Sequence, residues 1–212
     1  MNTQAMKQAL RQSIIAARQK LAVADHDAFS RAIIKSIMQL DAYRQAKTVL
    51  AYMSFGAEFA TGAWVRQALQ DGKQVLLPRV NSSSRQLELF QVADLQQDVA
   101  PGKWDIPEPL PEHCRSVDDL ERIDFILLPG VAFARDGSRL GYGGGFYDKL
   151  LARMTPDGRN ALPQRPALVA AAFSMQLVTE IPQEATDRKV EWLITENEVI
   201  HCGAEKKRLS NL

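Results

Sequence analysis

Two almost uninterrupted apolar runs, "DFILLPGVAF" (124–133) and "PALVAAAF" (166–173), constrain this chain more than any other feature. A strand with one wet face alternates apolar and polar residues, whereas a strand apolar throughout must be covered on both faces. Such strands belong inside a sheet that carries helices on each side. Shorter runs fit around them. "TVLAYMSF" (48–55) and "KQVLLPRV" (73–80) read as strands, and "QLELFQV" (86–92) alternates as a third. "VEWLITENEVI" (190–200) reads as two short strands around a turn at Glu196-Asn197. Helical periodicity separates them. Leu10, Ile14, Ala17 and Leu21 form a stripe over 5–21, and Phe29, Ile33, Ile37 and Leu40 form one from Asp25 to Asp41. "TGAWVRQALQDG" (61–72) reads as a helix with Thr61 as cap and Gly72 as stop, and Phe146 to Met154 as another. The spans 94–117 and 155–166 are rich in proline and polar residues and read as loops. Strands alternating with helices predict an α/β layer structure with a mostly parallel sheet, and the length predicts one domain.

The charge balance narrows the function. A formal net charge of +1 sets up no global field toward nucleic acid or a membrane surface, so any anion specificity must be local. Cys114 and Cys202 show no metal-ligand spacing, and His26, His113 and His201 have no metal-like partner by spacing. The first 20 residues are amphipathic and broken by charge, unlike a signal peptide, and no apolar stretch is long enough to span a bilayer. A cytoplasmic monomer acting on small molecules is expected.

The local anion site has an obvious candidate. "RLGYGGGFYDKLL" (139–151) holds four glycines just past the second half of the 124–133 run and just before a helix. Bare backbone can curl and turn its N–H groups toward an anion, and the helix that follows aims its positive end at the same place. The spacing fits neither the dinucleotide fingerprint nor the nucleotide P-loop. The flanks add chemistry: Arg139 supplies a fixed charge with paired donors, Tyr147 a hydroxyl, and Asp148 a carboxylate suited to Mg²⁺. On the first helix, Lys7, Arg11 and Arg18 fall within a narrow arc beside the apolar stripe.

"LPGVAFARDGSRLGYGGGFYDKLL" resembles the signature of the 5-formyltetrahydrofolate cyclo-ligases, also called methenyltetrahydrofolate synthetases. The N-terminal Lys-Arg pair, "AYMSFGAEFAT", "LPR", "WDIPEP" and "PQEATD" follow in that family's order. The resemblance implies one three-layer α/β/α domain over 1–212, with a mixed, mostly parallel, Rossmann-like sheet and the N-terminal helices (5–41) packed on it. It implies ATP- and Mg²⁺-dependent closure of 5-formyltetrahydrofolate to 5,10-methenyltetrahydrofolate, with release of ADP and phosphate. It implies an ATP site of Lys7, Arg11, Arg139, Leu140, Gly141, Tyr142, Gly143, Gly144, Gly145, Phe146 and Tyr147, with catalytic roles for Arg139 and Tyr147. It implies folate contacts from Met53, Glu58 and Trp104, with Tyr142, Gly143, Gly144, Gly145 and Phe146 facing the formyl end. Asp148 and Asp187 are the implied metal carboxylates, although "EATD" before Asp187 departs from the His-Asp of the family pattern. Arg18 is left as surface, and Arg79 faces either phosphate or solvent. Two other readings stay open: a phosphate-binding isomerase or transferase on a related scaffold, and a non-catalytic nucleotide or folate binder.

Overall fold

The computed structural model describes residues 3–102, 105–154, 165–184 and 187–202. Five helices are described: α1 (Thr3–Arg18), α2 (Val23–Gln39), α3 (Asp41–Gln45), α4 (Thr61–Gln70) and α5 (Phe146–Met154). The first half of the chain contributes β1 (Thr48–Leu50), β2 (Gln74–Asn81), β3 (Gln86–Val92), β4 (Val99–Pro101), β5 (Pro107–Pro109) and β6 (Arg115–Ser116). The second contributes β7 (Phe125–Leu128), β8 (Ala132–Ala134), β9 (Arg139–Leu140) and β10 (Ala167–Ala171), then β11 (Leu177–Val178), β12 (Trp192–Ile194) and β13 (Val199–His201).

Eight strands form the central sheet in the order β13-β12-β10-β7-β1-β2-β3-β6. The five in the middle, β12, β10, β7, β1 and β2, are parallel. The outer pairings, β12 with β13, β2 with β3 and β3 with β6, are antiparallel. The sheet is therefore mixed and mostly parallel, in an α/β architecture. Pleating divides its apolar side chains between two cores. Val49, Val75, Leu77, Phe125, Leu127 and Val169 meet Ile33, Ile37, Tyr43 and Trp64 on one face. Leu50, Leu76, Ile126, Leu128 and Ala170 meet Leu150, Leu151 and Met154 of α5 on the other.

A smaller sheet, β11-β8-β9, stands beside this one. The expectation of both N-terminal helices on one sheet is corrected here: α2 covers the central sheet, but α1 lies on the small one. Ile14 packs against Val131, Ala132, Ala134, Leu140 and Ile181.

The run 124–133 is two strands in different sheets. Pro129 has no N–H to offer a ladder and stops β7. At Gly130 an added Cβ would lie 2.5 Å from the Phe133 ring, so only glycine admits this bend. The Val131 amide then bonds the Leu140 carbonyl at 2.7 Å, which starts the β8–β9 hairpin. The run 48–55 is likewise shorter than its apolar length suggests. The Ser54 amide donates to Thr61 Oγ1 at 2.8 Å and the Thr61 amide to Ser54 Oγ at 3.2 Å, and this closes a loop after β1. Thr61 is thus not the cap of α4; Ala60 holds that position, and the Thr61 hydroxyl is committed to the loop.

Candidate active site

The order of the parallel strands reverses between β1 and β7: the chain leaves β1 for β2 on one side and later returns through β7 on the other. Loops at the carboxyl ends diverge at such a point and leave a crevice. Here the crevice is a cavity of about 1020 Å³, lined by α1, the loop after β1, the glycine loop, the start of α5, and Glu184, Asp187 and Arg188.

The glycine loop follows β9 and not, as its sequence position suggests, a strand of the central sheet. Arg139 brings it back. Arg139 is 7% exposed; its Nη1 donates to the Pro129 carbonyl at 3.1 Å, and Nη2 to Asp148 Oδ1 at 2.7 Å. One guanidinium therefore joins the end of β7 to the first turn of α5. Gly143 and Gly145 have φ of +101° and +64°, backbone that an L side chain rarely adopts. Leu140, Gly141, Tyr142, Gly143, Gly144, Gly145, Phe146 and Tyr147 all line the cavity.

From α1 come the other cations. Its apolar face is spent on the small sheet, so the adjoining basic edge lies along the cavity. Lys7 is 6% exposed; its Nζ meets Asp187 Oδ2 at 2.8 Å and Glu184 Oε2 at 3.7 Å. Burial pushes the Asp187 carboxyl upward, but the hydrogen bonds from Lys7 and the Glu184 amide outweigh it and hold it below the usual carboxylate range. Arg11 Nε donates to the Gly141 carbonyl at 2.7 Å and so pins the loop from outside. Lys7, Arg11, Arg139, Asp148 and Asp187 all line one cavity.

A second group of lining residues centres on Glu58. Glu58 is 4% exposed; its Oε2 accepts the Phe55 amide at 3.0 Å and its Oε1 accepts the Tyr142 hydroxyl at 2.5 Å. Burial raises the affinity of this carboxyl for a proton above the ordinary, against the pull of Tyr142, the Phe55 amide and Arg18. Tyr142 also accepts Arg18 Nη2 at 2.8 Å, and its ring packs on Phe55 with centroids 5.3 Å apart. Burial, with Glu58 adding to it, likewise raises the Tyr52 and Tyr147 hydroxyls, so both stay protonated at neutral pH. Met53 lines the cavity while packing against the core beneath it.

Arg18 corrects the sequence reading. It is 4% exposed and not a surface residue. The signal was present: the arc that carries Lys7 and Arg11 carries Arg18 as well. Arg79 faces Glu108 at 4.0 Å and does not line the cavity. Trp104 lies outside the described residues. The histidines have structural partners: His26 Nε2 lies 2.7 Å from the Glu58 carbonyl, His113 Nδ1 lies 2.6 Å from that of Gln97, and His201 stacks on Trp192. Among the described residues no three His, Cys, Asp or Glu side chains cluster as a metal site. No helix among them is long and apolar enough to cross a membrane.

Known proteins resemble this chain along most of its length. The chain is 30% identical over 188 residues to a probable 5-formyltetrahydrofolate cyclo-ligase of Schizosaccharomyces pombe, covering 84% of this chain and 90% of that protein. It is 33% identical over 154 residues to the 5-formyltetrahydrofolate cyclo-ligase of Escherichia coli K12, covering 73% and 80% respectively. The NMR structure of Aquifex aeolicus 5,10-methenyltetrahydrofolate synthetase superposes with a TM-score of 0.76 at 28% identity, covering 93% of each chain. The 5-formyltetrahydrofolate cyclo-ligase family model matches residues 3–196. With that match running from the basic edge of α1 through the glycine loop to β12, the chain belongs to the 5-formyltetrahydrofolate cyclo-ligase family and is an enzyme of that ligase class.

Proposed function

We propose that this enzyme uses ATP to close 5-formyltetrahydrofolate to 5,10-methenyltetrahydrofolate, releasing ADP and phosphate. The observation that carries the reading is the convergence of Lys7, Arg11 and Arg139 on one cavity that Glu58 and Met53 also line. The first group suits a triphosphate. The second suits a flat heterocycle with N–H donors, because a buried carboxylate accepts hydrogen bonds strongly and a thioether packs against a ring.

The chemistry needs an activated formyl group. The formyl oxygen attacks the γ-phosphorus, the bond from that phosphorus to the β-bridging oxygen breaks, and ADP departs. The carbon is then an iminium-like electrophile. The lone pair of the 10-nitrogen forms the new C–N bond, the C–O bond breaks toward phosphate, and the nitrogen gives up its proton. The protein has two tasks, to align the reactants and to neutralise charge. Lys7 and Arg11 would bind phosphate oxygens, while the glycine loop offers amides unobstructed by side chains. Arg139, held at two ends, would meet the transferring group with a fixed guanidinium. The hydroxyl of Tyr147 stays protonated and serves as a donor. Mg²⁺ takes one or two carboxylates beside phosphate oxygens and keeps much of its water. Asp148 and Asp187, on the cavity wall and each already facing a cation, fit that demand, and the ion would neutralise phosphate charge.

Mixing the protein with Mg-ATP and 5-formyltetrahydrofolate and following the near-ultraviolet band of methenyltetrahydrofolate tests the reading. One ADP per ring closed, and no band without ATP, is the expected result. A folded protein that binds both ligands and makes no band would be a binder and not this catalyst.

A further inference from the structure

Arg18 and Glu58 are an unusual pair. Each is 4% exposed, and neither forms an ion pair among the described residues. Arg18 Nε is buried and has no hydrogen-bond partner among those residues. Burying an isolated charge is costly, and a cation and an anion left separately unpaired cost more than a joined pair. A single hydroxyl stands between them. Tyr142 accepts from Arg18 Nη2 at 2.8 Å and donates to Glu58 Oε1 at 2.5 Å. The chain Arg18–Tyr142–Glu58 thus runs from the last turn of α1, through the glycine loop, to the loop after β1. Other groups face Glu58 from the elements around it: Tyr52 from the end of β1 and Tyr147 from α5. His26 of α2 bonds the Glu58 backbone carbonyl and not its carboxylate. None of these three carries a positive charge onto the carboxylate. Arg18 is the cation that does so.

We propose that Arg18 is a positioning residue for folate recognition: acting through the Tyr142 hydroxyl, it compensates the buried charge of Glu58 and keeps that carboxylate ionised and facing the cavity. This rests on the assignment of Glu58 to the pterin. The consequence concerns affinity more than rate. A neutral Glu58 presents a proton where the heterocycle presents its own, so loss of the compensating charge weakens folate binding and leaves the phosphate end untouched.

The direct test is a carboxyl titration by ¹³C NMR on glutamate-labelled protein, with the Glu58 signal assigned as the one absent from Glu58→Gln. Arg18→Met is expected to move the Glu58 midpoint up by about one pH unit, with Arg18→Lys between it and the wild type. Tyr142→Phe should reproduce the shift, and the double variant should add little, because both residues serve one link. For Arg18→Met the steady-state KM for 5-formyltetrahydrofolate should rise about tenfold, the loss of one charge-assisted contact, while the KM for ATP and kcat stay near wild type. An unmoved titration in folded Arg18→Met, or additive effects of the two substitutions, would overturn the inference even in a fully active enzyme. If Arg18→Met does not fold, Arg18→Lys and Tyr142→Phe carry the same comparison. Failure of the wild type to close the ring would instead overturn the proposed reaction, and the titration would still decide whether Arg18 sets the charge of Glu58.

Discussion

The two ends of the cavity handle charge in opposite ways. At the end assigned to phosphate, opposite charges touch: Arg139 meets Asp148 at 2.7 Å and Lys7 meets Asp187 at 2.8 Å. The two carboxylates there keep partial contact with solvent, with 25% and 20% of their side chains exposed. At the end assigned to the pterin, cation and anion are both buried and are joined only through a tyrosine hydroxyl. The difference suits the proposed ligands. A site for a polyanion has to give up its cations on demand, and partly wet ion pairs exchange partners cheaply. A site for a neutral heterocycle needs one acceptor of fixed protonation state, and burial with a distant counter-charge provides it.

Substitutions that attack one end should leave the other's kinetic constants alone. The largest effect is expected for Arg139→Ala, which would remove the guanidinium proposed to meet the transferring phosphoryl group. Its kcat should fall by about 10²–10³, as for loss of a preorganised transition-state contact. Steady-state rates alongside a thermal melt separate this from unfolding. Glu58→Gln should raise the KM for folate by about 10–100-fold with that for ATP unchanged, the cost of replacing a charge-assisted acceptor by a neutral one. Lys7→Met mirrors it, with the KM for ATP rising by about tenfold and that for folate unmoved. If either substitution moved both constants equally, the cavity would act as one electrostatic unit and the division would fail.

Two smaller effects sharpen the picture. Gly143→Ala forces an alanine to φ +101° and should cost about 1–2 kcal/mol of stability, read from urea midpoints. The last concerns acid. The folded carboxyl of Asp187 is held below its unfolded range, so its contribution is complete above the unfolded value, near 3.9, and is lost as pH falls through the folded one. Asp187→Asn should therefore be somewhat less stable than wild type at neutral pH, with the gap closing at acid pH. A gap constant with pH would mean that Asp187 is not coupled to Lys7.

Much of this was legible in the chain. The strand 86–92 and the helix 146–154 appear with their expected bounds because alternation and helical stripe are local signals. Where the sequence misled, a nonlocal contact decided. The run 124–133 looks continuous because apolarity does not record which sheet a residue joins; the Pro129-Gly130 break was visible but outweighed by the residues around it. Arg18 looked solvated because nothing near it in sequence is a partner. Its partner, Tyr142, comes from the glycine loop, whose interest had been placed in its missing side chains. The roles of Lys7, Arg11 and Asp187 came from resemblance, since spacing alone gave a basic edge and an isolated carboxylate.

The contact between Lys7 and Asp187 spans 180 positions, that between Arg11 and Gly141 spans 130, and that between Arg18 and Tyr142 spans 124. The strands of the central sheet, by contrast, are mostly joined to neighbours much closer along the chain. Closing long loops is entropically dear and slows the contacts that need it. The basic edge of α1 must therefore wait for residues far along the chain from it, and a refolding chain should show its sheet by circular dichroism before it recovers any affinity for nucleotide.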